Sequence, residues 1–326
     1  MRINTLEHFV YTDNLKTAVI ILYSVIFILM AAVKIIAAVN KKDTENMWIR
    51  LKSFLMIVIF FTVAFSFNKI TAFVFLILIS YLALKEFLSL IPTRRTDRNV
   101  LLWAYWSIPI CYYIIYIKWA TLFYLWIPLY VFILISIRMV MLGNVKGFLK
   151  NLAVFQYGLM TTVYALGYLG LLLVIPAKYN PQGGSIGLLF FILVFTVSND
   201  FLQMFSGKTF GKHKIIPQVS PNKTWEGLIG GVIGSTVLAV VMGKFLTPFS
   251  TGQLIFLGSA LSVFGFFGDV TMSAIKRDLG VKDTSTLIPG HGGILDRLDS
   301  LLFTAPLFFH YFAYTYTIVI TKTMGN

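Results

Sequence analysis

Long apolar stretches recur along this chain and limit the folds open to it. Most of them approach the roughly 20 apolar residues that a helix needs to cross a hydrocarbon core about 30 Å thick. They lie at residues 17–38, 54–68, 70–91, 100–117, 119–137, 153–176, 186–205, 227–246, 253–272 and 301–319. None alternates in the manner of a membrane β-strand. The sequence therefore predicts an all-α, polytopic integral membrane helical bundle with about ten transmembrane helices.

The composition excludes an ordinary soluble enzyme. Hydrophobic residues make up 58% of the chain and charged residues 12%, against about 25% charged residues in an average soluble domain. The single cysteine, Cys111, cannot form an intrachain disulfide, so no oxidising compartment is required. A net charge of +14 could indicate nucleic acid. Basic loops on one side of a membrane explain the same charge without a nucleic-acid partner.

The distribution of lysine and arginine predicts an orientation. Five loops carry 18 basic residues, whereas the segments on the opposite side carry seven. The loops are residues 39–53, 92–99, 138–152, 206–226 and 273–300. Basic loops stay in the cytoplasm, so both chain ends are expected outside. We expect a bacterial inner (plasma) membrane protein whose active site faces the cytoplasm.

Polar residues are concentrated in the second half of the chain. Residues 1–150 are interpreted as an N-terminal transmembrane scaffold, and residues 151–326 as the catalytic region with cytoplasmic loops 206–226 and 273–300. The first of these loops carries Lys208, Lys212, Ser220, Lys223, Thr224 and Glu226. This mixture suits phosphate binding, although the lysines could also serve only to set topology. A P-loop is rejected, because Leu202 stands where its first glycine is required.

Acidic residues within the apolar stretches form a second signal. Asp269 ends one stretch, and helical spacing places Ser273, Lys276 and Arg277 on its face. Asp200 lies in another stretch beside Asn199. A carboxylate inside a membrane helix is costly and often functional. The alternatives are an internal ion pair for Asp269 and a helix–helix hydrogen bond for Asp200.

The segment PGHGGILDRLD at 289–299 combines an anion-binding turn with acids. Its glycines allow backbone N–H groups to approach an anion. Asp269 and Asp296, from separate helices, can converge on a divalent cation, and such oxygen ligands suit Mg²⁺. Together with the basic residues, this indicates phosphoryl or nucleotidyl transfer. His291 either contacts a phosphate or fixes the turn.

Residues 273–299 resemble the signature of the phosphatidate cytidylyltransferase family, the CDP-diacylglycerol synthases. The matching positions are Ser273, Lys276, Arg277, Lys282, Asp283, Pro289, His291, Gly292, Gly293, Asp296, Arg297 and Asp299. Upstream family elements match at 207–212 and 220–227, and at Asn199-Asp200 and Gly268-Asp269. Family members usually carry Ala-Tyr soon after the Asn-Asp pair, where this chain has Gln203-Met204. The departure indicates a divergent paralogue.

The resemblance implies transfer of a cytidylyl group from CTP to phosphatidic acid in the lipid bilayer. It implies Mg²⁺ held by Asp269 and Asp296, with a second cation allowed. The implied catalytic residues are Lys276, Arg277, Lys282, Asp283, His291, Arg297 and Asp299. The implied substrate-binding residues are Asn199, Asp200, Lys208, Lys212, Ser220, Lys223, Thr224, Glu226, Ser273, Gly292 and Gly293.

Two other functions remain open from the sequence. One is a transporter or flippase of an anionic lipid, which would spread polar residues over several helices at mid-depth. The other is a related transferase acting on another lipid phosphate. Clustering of the polar residues at one face favours an enzyme, and a homodimer is compatible with either. Gly265 and Gly268 either open an access gap for lipid or allow close helix packing.

Overall fold

The computed structural model describes residues 11–40, 45–91, 98–288 and 292–316. They form ten long helices and one short one. The helices are α1 (Asp13–Asn40), α2 (Glu45–Ser66), α3 (Lys69–Leu90), α4 (Arg98–Tyr116), α5 (Ala120–Met141), α6 (Phe148–Val174), α7 (Gly184–Phe210), α8 (Trp225–Leu246), α9 (Thr251–Asp278), α10 (Leu295–Leu298) and α11 (Leu301–Thr315). A π-helical stretch interrupts α5 at Trp126–Val131 and α6 at Met160–Tyr164.

The predicted fold class is confirmed. Eight helices, α1 to α3 and α5 to α9, are long and apolar enough to cross a membrane. The other two long helices are α4, with 19 residues, and α11, with 15. Each predicted apolar stretch corresponds to one long helix, and the last extends beyond the described residues. The described part of the chain contains no β-strand, only isolated bridges. The protein is an integral membrane helical bundle.

Helix α6 occupies the centre of the bundle. Every residue of its segment Ala165–Val174 is buried, and the helix packs against α3, α4, α7 and α11. Helices α1 and α2 lie at the periphery and expose apolar side chains such as Ile28 and Phe60. Such a surface suits contact with lipid, because a bilayer solvates apolar groups.

Helices α7, α8 and α9 approach one another closely through small residues. A Cβ atom on Gly231 of α8 would lie 2.2 Å from Cγ of Gln203 on α7. On α9, a Cβ atom at Gly268 would lie 2.6 Å from the carbonyl oxygen of Asp299. The glycines before Asp269 therefore favour the close-packing interpretation over a gap for lipid. This packing brings the polar ends of three helices together.

The two ends of the bundle gather different loops. At one end, Nδ2 of Asn180 donates to the carbonyl oxygen of Leu246 at 2.8 Å, and the Tyr316 hydroxyl donates to that of Pro248 at 2.6 Å. At the other end, loop 211–224 meets the carboxyl end of α9, where Arg277 donates to the carbonyl oxygens of Val219 and of Val281 in the second polar loop. The two polar loops singled out by the sequence thus share one end.

Candidate active site

Asp269 of α9 joins the first polar loop to the site. Its Oδ2 forms an ion pair with Nζ of Lys223, and its Oδ1 accepts a hydrogen bond from the Ser273 hydroxyl at 3.3 Å. The Lys223 and Asp269 side chains are only 20% and 24% exposed. Nζ of Lys223 also lies 5.3 Å from the centre of the Phe266 ring, a favourable position for a cation. A predicted phosphate-binding lysine and a predicted metal ligand are therefore neighbours.

Asp296 uses its two oxygens differently. Oδ1 accepts from Nζ of Lys276 at 2.7 Å, and both side chains are nearly buried. Oδ2 accepts from N and Oγ1 of Thr284 at 2.8 and 2.9 Å and from N of Gly293 at 2.9 Å. Burial raises the pKa of Asp296, but the hydrogen bonds from Lys276, Gly293 and Thr284 together lower it by more than burial raises it. The pKa of Asp296 therefore lies below its ordinary value. The carboxylate stays ionised and holds the loop.

Asp200 and Asp299 bring two more carboxyl groups to the same place. Oδ1 of Asp200 accepts from the Ser300 hydroxyl at 2.8 Å, and Oδ1 of Asp299 accepts from the Ser300 N–H at 2.8 Å. Burial raises the pKa of Asp299 well above its ordinary value, and the negative charges of Asp269 and Asp200 raise it further. The site therefore brings together more carboxyl groups than Lys223 and Lys276 can neutralise, and Asp299 resists ionisation.

Three predicted site residues fasten the polar loops in place. Thr224 is the N-cap of α8, and its hydroxyl accepts from N of Gly227 at 3.1 Å. The Glu226 carboxylate accepts a hydrogen bond from N of Lys212 at 3.0 Å, and its Oε1 lies 2.6 Å from Nδ1 of His213. Arg277 donates to a carbonyl oxygen in each polar loop. Their contact with substrate stays a prediction.

Asn199 lies in a buried polar network between helices. Its Oδ1 accepts from Nε2 of Gln203 at 3.2 Å, from the Ser235 hydroxyl at 2.9 Å and from the Ser262 hydroxyl at 2.5 Å. These bonds tie α7 to α8 and α9. Gln203, the position that departs from the family pattern, belongs to this network. Asn199 thus orders the helices that carry Asp200 and Asp269, and its substrate contact stays a prediction.

The remaining predicted residues lie around this centre or outside the described residues. The side chains are exposed at five of these positions, Lys208, Lys212, Lys282, Asp283 and Arg297. Ser220 is half-buried in its loop, and its carbonyl oxygen accepts from N of Lys223 at 3.2 Å. Gly292 has a φ of +83°, which favours glycine, and pairs with Ile288. His291, with Pro289 and Gly290, lies outside the described residues.

Comparison with known proteins decides the family. The family model described as "Cytidylyltransferase family" matches residues 48–315. This chain belongs to the cytidylyltransferase family. Its relatives include the "Uncharacterized protein YnbB" of Escherichia coli (strain K12), which is 43% identical over 266 residues, 82% of this chain and 87% of that protein. The resemblance drawn from residues 273–299 is confirmed.

Curated enzymes of the family match a shorter part of the chain. The phosphatidate cytidylyltransferase of Haemophilus influenzae is 46% identical over 140 residues, 41% of this chain and 48% of that enzyme. The phosphatidate cytidylyltransferase of Bacillus subtilis is 43% identical over 122 residues, 37% of this chain and 45% of that enzyme. Beside the longer match to YnbB, these partial matches agree with a divergent paralogue within the cytidylyltransferase family.

Sequence reasoning missed Glu86, which lies on α3 in the predicted scaffold. Its buried carboxylate accepts hydrogen bonds from residues 284–295 of the signature segment, including the Ser285 hydroxyl at 2.7 Å and N of Leu295 at 2.9 Å. An acid within a predicted membrane span was the signal that could have found it. The division at residue 150 stays a prediction, but Glu86 connects the two parts.

The turn at Gly293 binds acidic groups of the protein itself. Its N–H donates to Asp296, and the next two N–H groups, of Ile294 and Leu295, donate to Glu86. Backbone N–H groups of this turn were expected to approach an anion, and in the structure they donate to carboxylates of the protein itself. Whether Gly292 and Gly293 also contact substrate stays a prediction.

The donor chemistry fits Mg²⁺. Among the described residues, no group of three or more His, Cys, Asp or Glu side chains is arranged to hold a metal ion. Mg²⁺ in nucleotide sites commonly takes only one or two carboxylates and completes its shell with phosphates and water. Asp269 and Asp296 each direct one oxygen to a lysine ammonium, so each already faces a cation. Oxygen ligands of this kind suit the predicted metal.

Replacing Asp299 by asparagine should stabilise the metal-free protein at neutral pH, because ionising the buried carboxyl opposes the charges of Asp269 and Asp200. The raised pKa sets the sign: the gain is absent below about pH 3.8, where the carboxyl is protonated in both the folded and unfolded states. The gain in the free energy of unfolding then grows as the pH rises toward the folded-state pKa of Asp299. Thermal unfolding in detergent with a chelator measures it.

Asp278→Asn, at an exposed position at the end of α9, is the matched control. It should change the unfolding temperature much less than Asp299→Asn at neutral pH. A lower unfolding temperature for Asp299→Asn would mean that its carboxylate is stabilised in the folded protein and is not repelled.

Proposed function

We propose that this protein transfers the cytidylyl group of CTP to phosphatidic acid, forming CDP-diacylglycerol and pyrophosphate. Membership of the cytidylyltransferase family supports the reaction class. The names of the H. influenzae and B. subtilis relatives support the lipid acceptor. The observation that carries the proposal is the convergence of Lys223 and Lys276 on Asp269 and Asp296 at one end of the bundle.

The proposed reaction is a displacement at phosphorus. An oxygen of the lipid phosphate forms a bond to the α-phosphorus of CTP, and the bond from that phosphorus to the bridging oxygen breaks. The electron pair leaves with pyrophosphate. Because the attacking phosphate is already an anion, alignment and charge neutralisation matter more than a strong general base.

Basic side chains perform the neutralisation in this proposal. Lys223 and Lys276 are partly buried and lie against carboxylates, so their ammonium groups are already placed at the site. We assign them to the phosphates of CTP and of the lipid. The exposed Lys208, Lys282 and Arg297 add positive charge around the site and favour the arrival of an anionic substrate.

We further propose that Asp269 and Asp296 hold Mg²⁺ through the oxygens that face the two lysines. When bound, Mg²⁺ would neutralise charge on the triphosphate. Asp296 keeps its other oxygen on Thr284 and Gly293, which fixes its orientation. Asp200 and Asp299 place two more carboxyl groups beside this position, and a bound cation would lower the pKa of Asp299 and favour its ionised form.

The lipid would stay in the bilayer during the reaction. Withdrawing its chains would cost about 0.8 kcal/mol for each CH₂ group. The phosphate must therefore reach Asp269 at the depth of the membrane interface. Exposed apolar side chains lie on both acid-bearing helices, with Phe201 next to Asp200 and Phe267 close to Asp269. They offer a surface for the acyl chains.

The proposal places this end of the bundle in the cytoplasm of a bacterial cell, within the inner membrane. After Cys111→Ala, single cysteines at exposed Lys146 and Lys178 test the orientation. A membrane-impermeant maleimide added to intact spheroplasts should label Lys178→Cys and spare Lys146→Cys, because Lys146 belongs to a basic loop. Permeabilised membranes should label both. The reverse pattern in intact spheroplasts would contradict the orientation.

The activity is tested with purified protein in detergent, CTP, Mg²⁺ and phosphatidic acid. We expect equal amounts of pyrophosphate and CDP-diacylglycerol, and no product after addition of a chelator. Asp269→Asn should lower turnover by about 10²-fold or more, since it removes a major charge at the reacting phosphates. Asp13→Asn, at an exposed position at the far end, is the control. Absence of product from the folded, unmodified protein would contradict the proposed substrates.

A further inference from the structure

We propose that Glu86 is a positioning residue that holds the described parts of the signature segment, residues 284–288 and 292–295, in their active form. The inference rests on the proposed function, because the positioned group is Asp296. Glu86 lies on α3, 198 to 209 residues earlier in the chain than its partners. Its hydrogen-bond partners do not include Lys223 or Lys276, the side chains assigned to the phosphates, so it would act through the segment it binds.

The Glu86 carboxylate is fully occupied by this segment. Oε1 accepts from the Ser285 hydroxyl at 2.7 Å and from N of Ile294 at 3.0 Å. Oε2 accepts from N of Leu295 at 2.9 Å and lies 3.1 Å from the Thr284 hydroxyl, whose single proton it shares with Asp296. The residue is only 8% exposed, so water cannot easily replace these bonds. One side chain thus satisfies donors at both ends of the segment.

A chain of contacts leads from Glu86 to the proposed metal ligand. The Thr284 hydroxyl lies between Oε2 of Glu86 and Oδ2 of Asp296, at 3.1 and 2.9 Å. Oδ1 of Asp296 then accepts from Lys276 at 2.7 Å. Displacement of Thr284 would therefore reach both Asp296 and its lysine partner.

The backbone is shaped around the Glu86 side chain. A Cβ atom on Gly293 would lie 2.5 Å from Oε2 of Glu86 and 2.1 Å from the Thr284 hydroxyl. Any larger residue at 293 would push the carboxylate away. The absence of a side chain at Gly293 and the presence of Glu86 are parts of one arrangement.

Glu86→Gln is the informative variant, since it keeps the size of the side chain and replaces one acceptor oxygen by a donor NH₂ group. Either orientation of the amide turns that group toward a backbone N–H, of Ile294 or Leu295. The segment should loosen while the helices remain packed. A misplacement of about 1 Å at a reacting centre can lower the rate by about 10²-fold, and we expect kcat to fall by roughly that factor.

Hydrogen exchange tests the clamp separately from catalysis. In detergent without substrate, peptides covering 292–298 should exchange faster in Glu86→Gln than in the unmodified protein. Ser80→Ala is the matched control, because Ser80 is a buried residue of α3 whose hydroxyl pairs with Tyr112 at 2.7 Å. It should leave the exchange of 292–298 and kcat unchanged. Unchanged exchange of 292–298 in Glu86→Gln would overturn the inference.

A double-mutant cycle with Ser285→Ala distinguishes positioning from general destabilisation. If Glu86 acts through the segment, the effects of Glu86→Gln and Ser285→Ala on kcat should be strongly non-additive. Additive effects, or a normal kcat in Glu86→Gln, would overturn the positioning role. Faster exchange in Glu86→Gln together with an inactive unmodified protein would instead refute the proposed function and leave the contact of Glu86 with the segment established.

Discussion

A carboxylate buried at the end of an apolar helix bundle needs hydrogen-bond donors or a cation, because its ionised form is costly to remove from water. The structure meets this need in two ways. Glu86 accepts three hydrogen bonds, shares the proton of the Thr284 hydroxyl with Asp296 and shapes the signature segment. Asp200, Asp269 and Asp299 have fewer donors and crowd together beside Lys223 and Lys276, which opposes the ionisation of Asp299. The first arrangement gives rigidity, and the second leaves a place for chemistry.

Asp296 belongs to both arrangements. One oxygen is held by Thr284 and Gly293, and the other faces Lys276. A group that must present charge to a substrate benefits from this division, since its orientation is fixed before the substrate binds. The loop architecture follows the same logic, because Thr224, Glu226 and Arg277 secure the polar loops by bonds to the backbone. Pre-organisation is thus distributed over residues that bond to the protein backbone.

Some of this could be predicted from the sequence because it depends on local patterns. Apolar length predicts the helices, and helical spacing correctly places Asp269 and Ser273 in contact. Glu86 was missed because its partners are far along the chain and no local spacing links them. Asn199 carries a family motif, yet its burial among Ser235 and Ser262 depends on helix packing that hydropathy does not specify. Motifs indicate which residues matter, whereas packing decides which of them reach the substrate.

Anomalous scattering from Mn²⁺ in crystals of the protein with CTP tests most directly whether Asp269 and Asp296 hold the metal. Mn²⁺ accepts the same oxygen ligands as Mg²⁺ and can be located by its own signal. We expect a Mn²⁺ ion bound by Asp269 and Asp296, with Thr284 and Gly293 still donating to Asp296. A Mn²⁺ ion bound to CTP but not to either aspartate would contradict the claim that Asp269 and Asp296 hold the cation.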